Sequence, residues 1–390
     1  MKSLSDYNYF TKKDILFFCS FTIFLTYLIL YASFYATYLE SSWKLITVAC
    51  PVLLLISEAY TAIITKQEYN WSVVAILLTA VLIMTAEGLN ENSVAISILY
   101  IFCARNISFE KTARVALFVT IICVCVVVIS AKAELIPNYL EFGRRNRAYL
   151  GFRYSLYGPA LIANASALWI YIRKSRITIF ESFLLVGINY WFFYYTNSRL
   201  SFFITIALVA CATMMRSRRI YRVFSSKTIC AVMVVSFVVF AIFSILITLK
   251  YDPNSQWMYS LNGTLENRLS LGKDAFVNNG LHLFPNNDMK LVGNGLDMSG
   301  LKSTEIYNYV DCLYLQLLLK YGILSFLILM GIVTYALYQS YKCGDILFLV
   351  IMTFIGAQCV INDLPKYIHF NTFWLAIGYF INTKNNEGNC

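Results

Sequence analysis

Apolar runs close to 20 residues long recur along this chain, and they limit its possible folds more than any other feature. We read twelve: 15–38, 45–64, 71–87, 93–109, 113–131, 155–172, 178–195, 199–215, 228–249, 311–340, 345–361 and 370–382. A helix of about 20 apolar residues crosses about 30 Å of hydrocarbon. The runs are rich in Leu, Ile, Val and Phe and lack the period-2 alternation of a membrane barrel. Hydrophobic residues make up 59% of the chain and charged residues 13%, against roughly 25% charged in a soluble domain. The expected class is an all-α polytopic membrane protein of about twelve transmembrane helices. The second, fourth and last runs are the weakest, and 311–340 is too long for one straight span, so a break is expected near Tyr321-Gly322. The first run is too long for a signal-peptide core and follows a charged, polar start, so no cleavable leader is expected.

These runs divide the chain into three parts: residues 1–249 with nine helices, a polar loop at 250–310, and residues 311–390 with three helices and a tail. The loop is rich in Asn, Gly, Asp and Ser, with Trp257, Phe276 and Leu283 as apolar anchors and a short helix expected around Leu265–Val277. A loop of this length between spans is usually functional. Orientation follows from basic residues. Arg216-Ser217-Arg218-Arg219-Ile220-Tyr221-Arg222 is the strongest cytoplasmic anchor, while Glu40, Glu87 and Glu91 outnumber Lys44 in short loops on the other side. Both termini are therefore expected inside, with the long loop outside. Inner-loop basic residues facing anionic lipid account for the net charge of +10 without nucleic acid. No Cys-x-x-Cys pair occurs, and His282 and His369 lie far apart, so the residues suggest neither a zinc site nor a disulfide framework.

One segment opposes the charge bias. Glu141-Phe142-Gly143-Arg144-Arg145-Asn146-Arg147-Ala148-Tyr149-Leu150-Gly151-Phe152-Arg153 places four arginines outside. Arginine grips phosphate oxygens through a planar fork and stays charged. An anionic ligand at the outer surface, such as a lipid-linked diphosphate, would account for the cluster; incidental basic residues on a solvated loop are the plain alternative. Arg199 opens an apolar helix in Tyr195-Thr196-Asn197-Ser198-Arg199, where it either snorkels or lines a cavity at that same face. Gly293-Asn294-Gly295-Leu296-Asp297 gives a tight turn and follows no βαβ pattern, so it is not read as a nucleotide site. Asp311 begins the segment Tyr309-Val310-Asp311-Cys312-Leu313-Tyr314, either as a helix cap or as a carboxylate poised to accept a proton.

At these residues the chain resembles the O-antigen and capsular polysaccharide polymerases of the Wzy type, which are related to the O-antigen ligases. Arg147 through Arg153 is similar to the family's arginine stretch leading to Gly-Phe. Thr196-Asn197-Ser198-Arg199 is similar to its Thr-x-Ser-Arg helix start. Gly293–Gly295 followed by Asp311 through Ile323 is similar to its Gly-x-Gly, Tyr-Leu and Tyr-Gly-Ile series. The resemblance covers most of residues 130–340. The chain departs from the pattern in two places. Asp311-Cys312 stands where relatives often carry His-Asn, and Arg153-Tyr154-Ser155 stands where His-Pro-Asn is often found.

The resemblance implies a GT-C-like glycosyltransferase at the outer face of the cytoplasmic membrane, needing no metal or cofactor. It would join undecaprenyl-diphosphate-linked repeat units into O-antigen or capsular glycan. A flippase and a chain-length regulator are implied as partners beside membrane lipids. Asp311 and Arg199 are implied as catalytic, with other carboxylates, Asp274 and Asp297, and His282 as alternative bases. Arg144, Arg145, Arg147, Arg153, Arg268, Tyr309 and Tyr314 are implied in substrate binding. Two readings stand beside it. A ligase shares the architecture and donor but uses another acceptor. A lipid-linked oligosaccharide flippase or export component shares the helices and basic residues but tends to have short loops.

Overall fold

The structure is a computed structural model and describes residues 12–65, 76–82, 93–143 and 145–382. It is mostly helical, as the apolar runs require. Among the described residues, four helical segments are long and apolar enough to cross a membrane: Asp14–Tyr31, Ala36–Ala59, Phe109–Lys132 and Gly322–Lys342. Two bent pairs raise that number to six. Arg199–Met214 turns through 118° into Arg218–Phe224, and Lys227–Val234 turns through 54° into Ser236–Leu249. Shorter helices complete the bundle: Ser93–Cys103, Tyr157–Arg173, Ile179–Thr196, Ile346–Gln358 and Trp374–Ile381. Of the expected run at 71–87, residues 76–82 are helical and the remainder lies outside the described residues. The last expected run is helical only over its eight-residue end, Trp374–Ile381.

Buried polar side chains tie the helices together, because a polar group in an apolar interior must find a partner. Asn164 exchanges two hydrogen bonds with Thr372, at 3.0 and 3.1 Å. Asn189 donates to Ser166 at 2.8 Å, and Ser20 pairs with Tyr100 at 2.6 Å. Large apolar side chains such as Phe118, Phe180, Phe203, Ile242 and Leu327 point outward instead. A wide exposed apolar surface over a polar-stitched interior is the inverse of a soluble protein and fits lipid as the surrounding medium. The chain is therefore a helical, membrane-embedded protein.

The Tyr157–Arg173 helix relates the two ends of the bundle. Tyr157 lines a cavity with Arg153 and Lys366. Tyr171, nearly four turns on, lines a different cavity with Arg216, Arg218 and Arg222 and donates to Asp345 at 2.7 Å. At 1.5 Å per residue the helix separates these arginine groups by about 20 Å. The two strongest basic segments thus lie at opposite ends of the molecule.

The expected break at Tyr321-Gly322 is present, between the helices Leu313–Leu319 and Gly322–Lys342. The long loop causes it. His282 and Leu283 carbonyls accept from the amides of Ile323 and Leu324, and the Lys320 carbonyl accepts from the Asn286 amide. Gly322 has φ +84°, and a Cβ there would lie 2.6 Å from the Phe284 backbone. Only glycine tolerates both that conformation and that approach.

Candidate functional site

The arginine segment and the long loop, distant in sequence, form one structure. Leu140–Glu141 and Arg147–Ala148 pair as a two-strand ribbon. Lys302 of the loop pairs with Glu141, and the Leu296 amide donates to the Arg153 carbonyl at 2.8 Å. Within the loop, Gln256–Thr264 and Arg268–Asn279 are helices joined by a tight turn. Glu266 and Asn267 in that turn have φ of +56° and +66°, a conformation that costs a non-glycine residue on the order of 1–2 kcal/mol. Buried Asn262 offsets that cost. Its Oδ1 accepts from the amides of Leu269 and Ser270 at 3.0 and 3.2 Å, and its Nδ2 donates to the Tyr251 hydroxyl at 3.1 Å.

The turn aims two charges. Glu266 lies 2.5 Å from Arg145 and 3.9 Å from Arg147. Arg268, two residues on, reaches the other way and donates from Nε to Asp311 Oδ2 at 3.2 Å. The Tyr307 hydroxyl donates to the same oxygen at 3.2 Å. The next helix begins at Leu313 with Cys312 as its unbonded cap position. Asp311 is therefore not the helix cap; it faces an arginine and a tyrosine. Its side chain is 18% exposed. Burial pushes the Asp311 carboxyl above its ordinary range, Arg268 pulls it down, and the nearby Asp363 carboxylate pushes it up again; the net shift is upward. A carboxylate so placed is a stronger base than an exposed one.

Asp363 and Lys366 form a second polar knot that the sequence reading missed. Asp363 Oδ2 accepts from the Tyr309 hydroxyl at 2.6 Å, Gln316 Nε2 at 3.1 Å and Lys366 Nζ at 2.9 Å. Lys366 also donates to Gln316 Oε1 at 2.8 Å. Burial pulls the Lys366 ammonium down, but Asp363 together with Tyr309, Tyr367 and Tyr321 more than offsets it, and the group is held well above its ordinary value. With three donors on one oxygen, Asp363 is committed to holding the chain together. Asp311, with two donors and partial exposure, remains approachable. The available signal was Asn362-Asp363-Leu364-Pro365-Lys366, a polar cluster between two apolar runs.

The other expected site residues distribute as follows. Arg145, Arg147, Arg268 and Asp311 gather around the loop turn. Tyr309 joins the Asp363 knot instead. Tyr314 is fully buried and donates to the Gly356 carbonyl at 2.9 Å; that bond occupies its hydroxyl within the core. Arg153 turns toward the first helix, donating to the Tyr31 carbonyl at 2.8 Å with its guanidinium 5.1 Å from the Tyr31 ring. Arg199 is exposed at the start of its helix, and it pairs with neither Glu266 nor Asp311, the carboxylates that hold Arg145, Arg147 and Arg268. Arg144 lies outside the described residues. Asp297 closes a turn, accepting from the amides of Ser299 and Leu301 at 2.8 Å each. His282 and Asp274 are exposed. Of the loop's expected anchors only Phe276 packs against the core; Trp257 and Leu283 are exposed, and Leu269, Ala275, Met289 and Leu296 are buried in their place. Among the described residues no group of three His, Cys, Asp or Glu side chains converges as metal ligands would.

No protein-family model, curated protein or solved structure matches the chain.

Proposed function

We propose that this protein is a polysaccharide polymerase that joins undecaprenyl-diphosphate-linked repeat units at the outer face of the cytoplasmic membrane. The observation that carries the reading is a partly buried carboxylate, Asp311, paired with Arg268 at a loop turn whose Glu266 holds two further arginines, Arg145 and Arg147. Arg145, Arg147 and Arg268 oppose two carboxylates, Glu266 and Asp311. The set keeps one net positive charge for an anionic ligand. In the reaction the acceptor hydroxyl attacks the anomeric carbon of the donor glycan. Asp311 takes the hydroxyl proton as the new glycosidic bond forms. The bond from the anomeric carbon to the diphosphate oxygen breaks, and the diphosphate leaves with the electron pair. Arginine forks stabilise the charge that develops on that oxygen.

Twelve spans and a GT-C-like architecture belong to the same proposal, supported by the twelve apolar runs and by the large ordered loop before the late helices. The ligase reading shares all of this chemistry and differs only in the acceptor. A flippase fits less well, because such proteins tend to have short loops, whereas this long loop is folded and clasped to the arginine segment. Deletion of the gene in its source organism separates the three. Loss of a polymerase leaves single repeat units in place of long glycan. Loss of a ligase leaves long glycan on the lipid carrier, and loss of a flippase leaves units facing the cytoplasm. Long polymer persisting in the deletion strain would refute the proposal.

A further inference from the structure

The cavity at the end of the bundle opposite the loop site holds about 940 Å³ and takes no part in the chemistry above. The helix Arg218–Phe224 forms one side of it. Arg218, Tyr221, Arg222 and, just past the helix end, Ser225 line the cavity. That is the i, i+3, i+4, i+7 spacing of one helical face. Ile220 and Phe224 pack against the core and hold that face in place. The 118° turn lays this short helix across the end of the Arg199–Met214 helix, as expected of a helix at a membrane surface. Arg216 lines the cavity from the turn itself.

Charge in the cavity is unbalanced. Among the described residues two carboxylates line it, and both are engaged. Glu110 pairs with Arg114 at 2.6 Å and with Lys174 at 3.6 Å. Asp345 accepts from the Tyr171 hydroxyl at 2.7 Å and from the Phe348 amide at 3.1 Å. Arg216, Arg218 and Arg222 are exposed, and none has a side-chain hydrogen bond or ion pair among the described residues. The rest of the lining is partly apolar: Ala212, Met215, Ile346 and Leu347 lie along the same cavity.

The lining selects the ligand's chemistry. Guanidinium forks match the oxygens of a phosphate group. Arg218 and Arg222 are one turn apart, with Cβ atoms about 5–6 Å from each other, so both can reach one phosphate. A free phosphate would use the arginines and leave the apolar lining unmatched. A zwitterionic phospholipid would bring its own cation toward the arginines. An anionic phospholipid matches both parts of the lining, with its phosphate on the arginines and its acyl chains along the apolar residues.

We propose that this cavity is a binding site for an anionic phospholipid, held through its phosphate by Arg216, Arg218 and Arg222. The site rests on the membrane-embedded fold and not on the polymerase reading, and its binding chemistry is testable without any polymerisation.

The test is direct binding to the purified, delipidated full-length protein in detergent, by native mass spectrometry with titration. The probes are dioleoyl-phosphatidylglycerol, dioleoyl-phosphatidylcholine and glycerol 3-phosphate. Phosphatidylglycerol is expected to bind saturably and roughly tenfold or more tighter than phosphatidylcholine. Glycerol 3-phosphate at equal concentration should not displace it. Replacing both Arg218→Gln and Arg222→Gln should weaken phosphatidylglycerol by roughly tenfold or more. Arg216→Gln, in the turn and outside the helix, carries the test if the double variant does not fold, and it too should weaken binding. Arg219→Gln is the control, because Arg219 belongs to the same helix and does not line the cavity; it should leave binding unchanged. Equal affinity for phosphatidylcholine, displacement by glycerol 3-phosphate, unaltered binding by the cavity variants, or no saturable binding would each overturn the site. So would an equal loss in Arg219→Gln, which would mark a diffuse basic surface in place of a cavity.

Discussion

Asp311 lies two residues before a helix, where Asp is most often a cap, and the structure gives it other partners. Asn at this position keeps an oxygen to accept from Arg268 and Tyr307 but cannot take up a proton. Asp311→Asn should therefore reach normal membrane levels and lose polymerisation by roughly two to four orders of magnitude. Activity within a few-fold of the parent, at equal protein level, would remove Asp311 as the base. The pH profile supplies a second check. Only the ionised carboxylate accepts a proton, and burial raises the Asp311 pKa, so activity falls as pH drops through that raised value. Arg268 lowers the same pKa. Arg268→Gln should move the acid limb of the rate profile to higher pH; an unmoved limb would show that the two do not couple. Asp311 was visible in the sequence because a charge at the edge of an apolar run stands out. Arg268 was expected in substrate binding, but its pairing with Asp311 and the part of Tyr307 were not visible, because these residues lie 43 and four residues away and only the loop fold brings them to one oxygen.

At the scale of elements, the long loop is held by a few positions. Asn262 satisfies two amides of the following helix and the Tyr251 hydroxyl at once. Asn262→Ala strips those bonds and should lower stability by about 1–3 kcal/mol, seen as a lower melting temperature in detergent, with Arg268 released from Asp311. At the helix break, Gly322→Ala places a methyl group against the Phe284 backbone at a positive φ. That should also lower the melting temperature, by more than a matched Gly331→Ala, where nothing lies within 4 Å of the added Cβ. Equal melting temperatures for the two variants would contradict the docking described. The break was legible because run length exceeded one span. The bends at Met215–Ser217 and Val235 were not, because hydropathy records how apolar a stretch is and not whether it stays straight. The polar link at 362–366 was passed over for a related reason: flanked by apolar runs, it read as a connector.

For the whole molecule, the arrangement of two basic ends is the strongest shared product of sequence and structure. Charge bias in the sequence assigned the Arg216–Arg222 segment to the inner face, the order of the apolar runs put the segment ending at Arg153 on the outer face against that bias, and the fold separates Arg153 from Arg216, Arg218 and Arg222 along the Tyr157–Arg173 helix. Introduced cysteines at residues 299 and 219 should react with a membrane-impermeant reagent from opposite sides, 299 from outside intact cells. Reaction of 299 only after cell opening would reverse the orientation and remove the site from flipped lipid-linked units. The chemistry itself is tested most directly by reconstitution. Purified protein in liposomes, supplied with lipid-diphosphate-linked repeat units extracted from the deletion strain, should convert them into a ladder of dimers, trimers and longer glycans still on the lipid carrier. Asp311→Asn protein should leave only single units. A wild-type preparation that yields no product longer than one unit, or an Asp311→Asn preparation that yields the full ladder, would contradict the account.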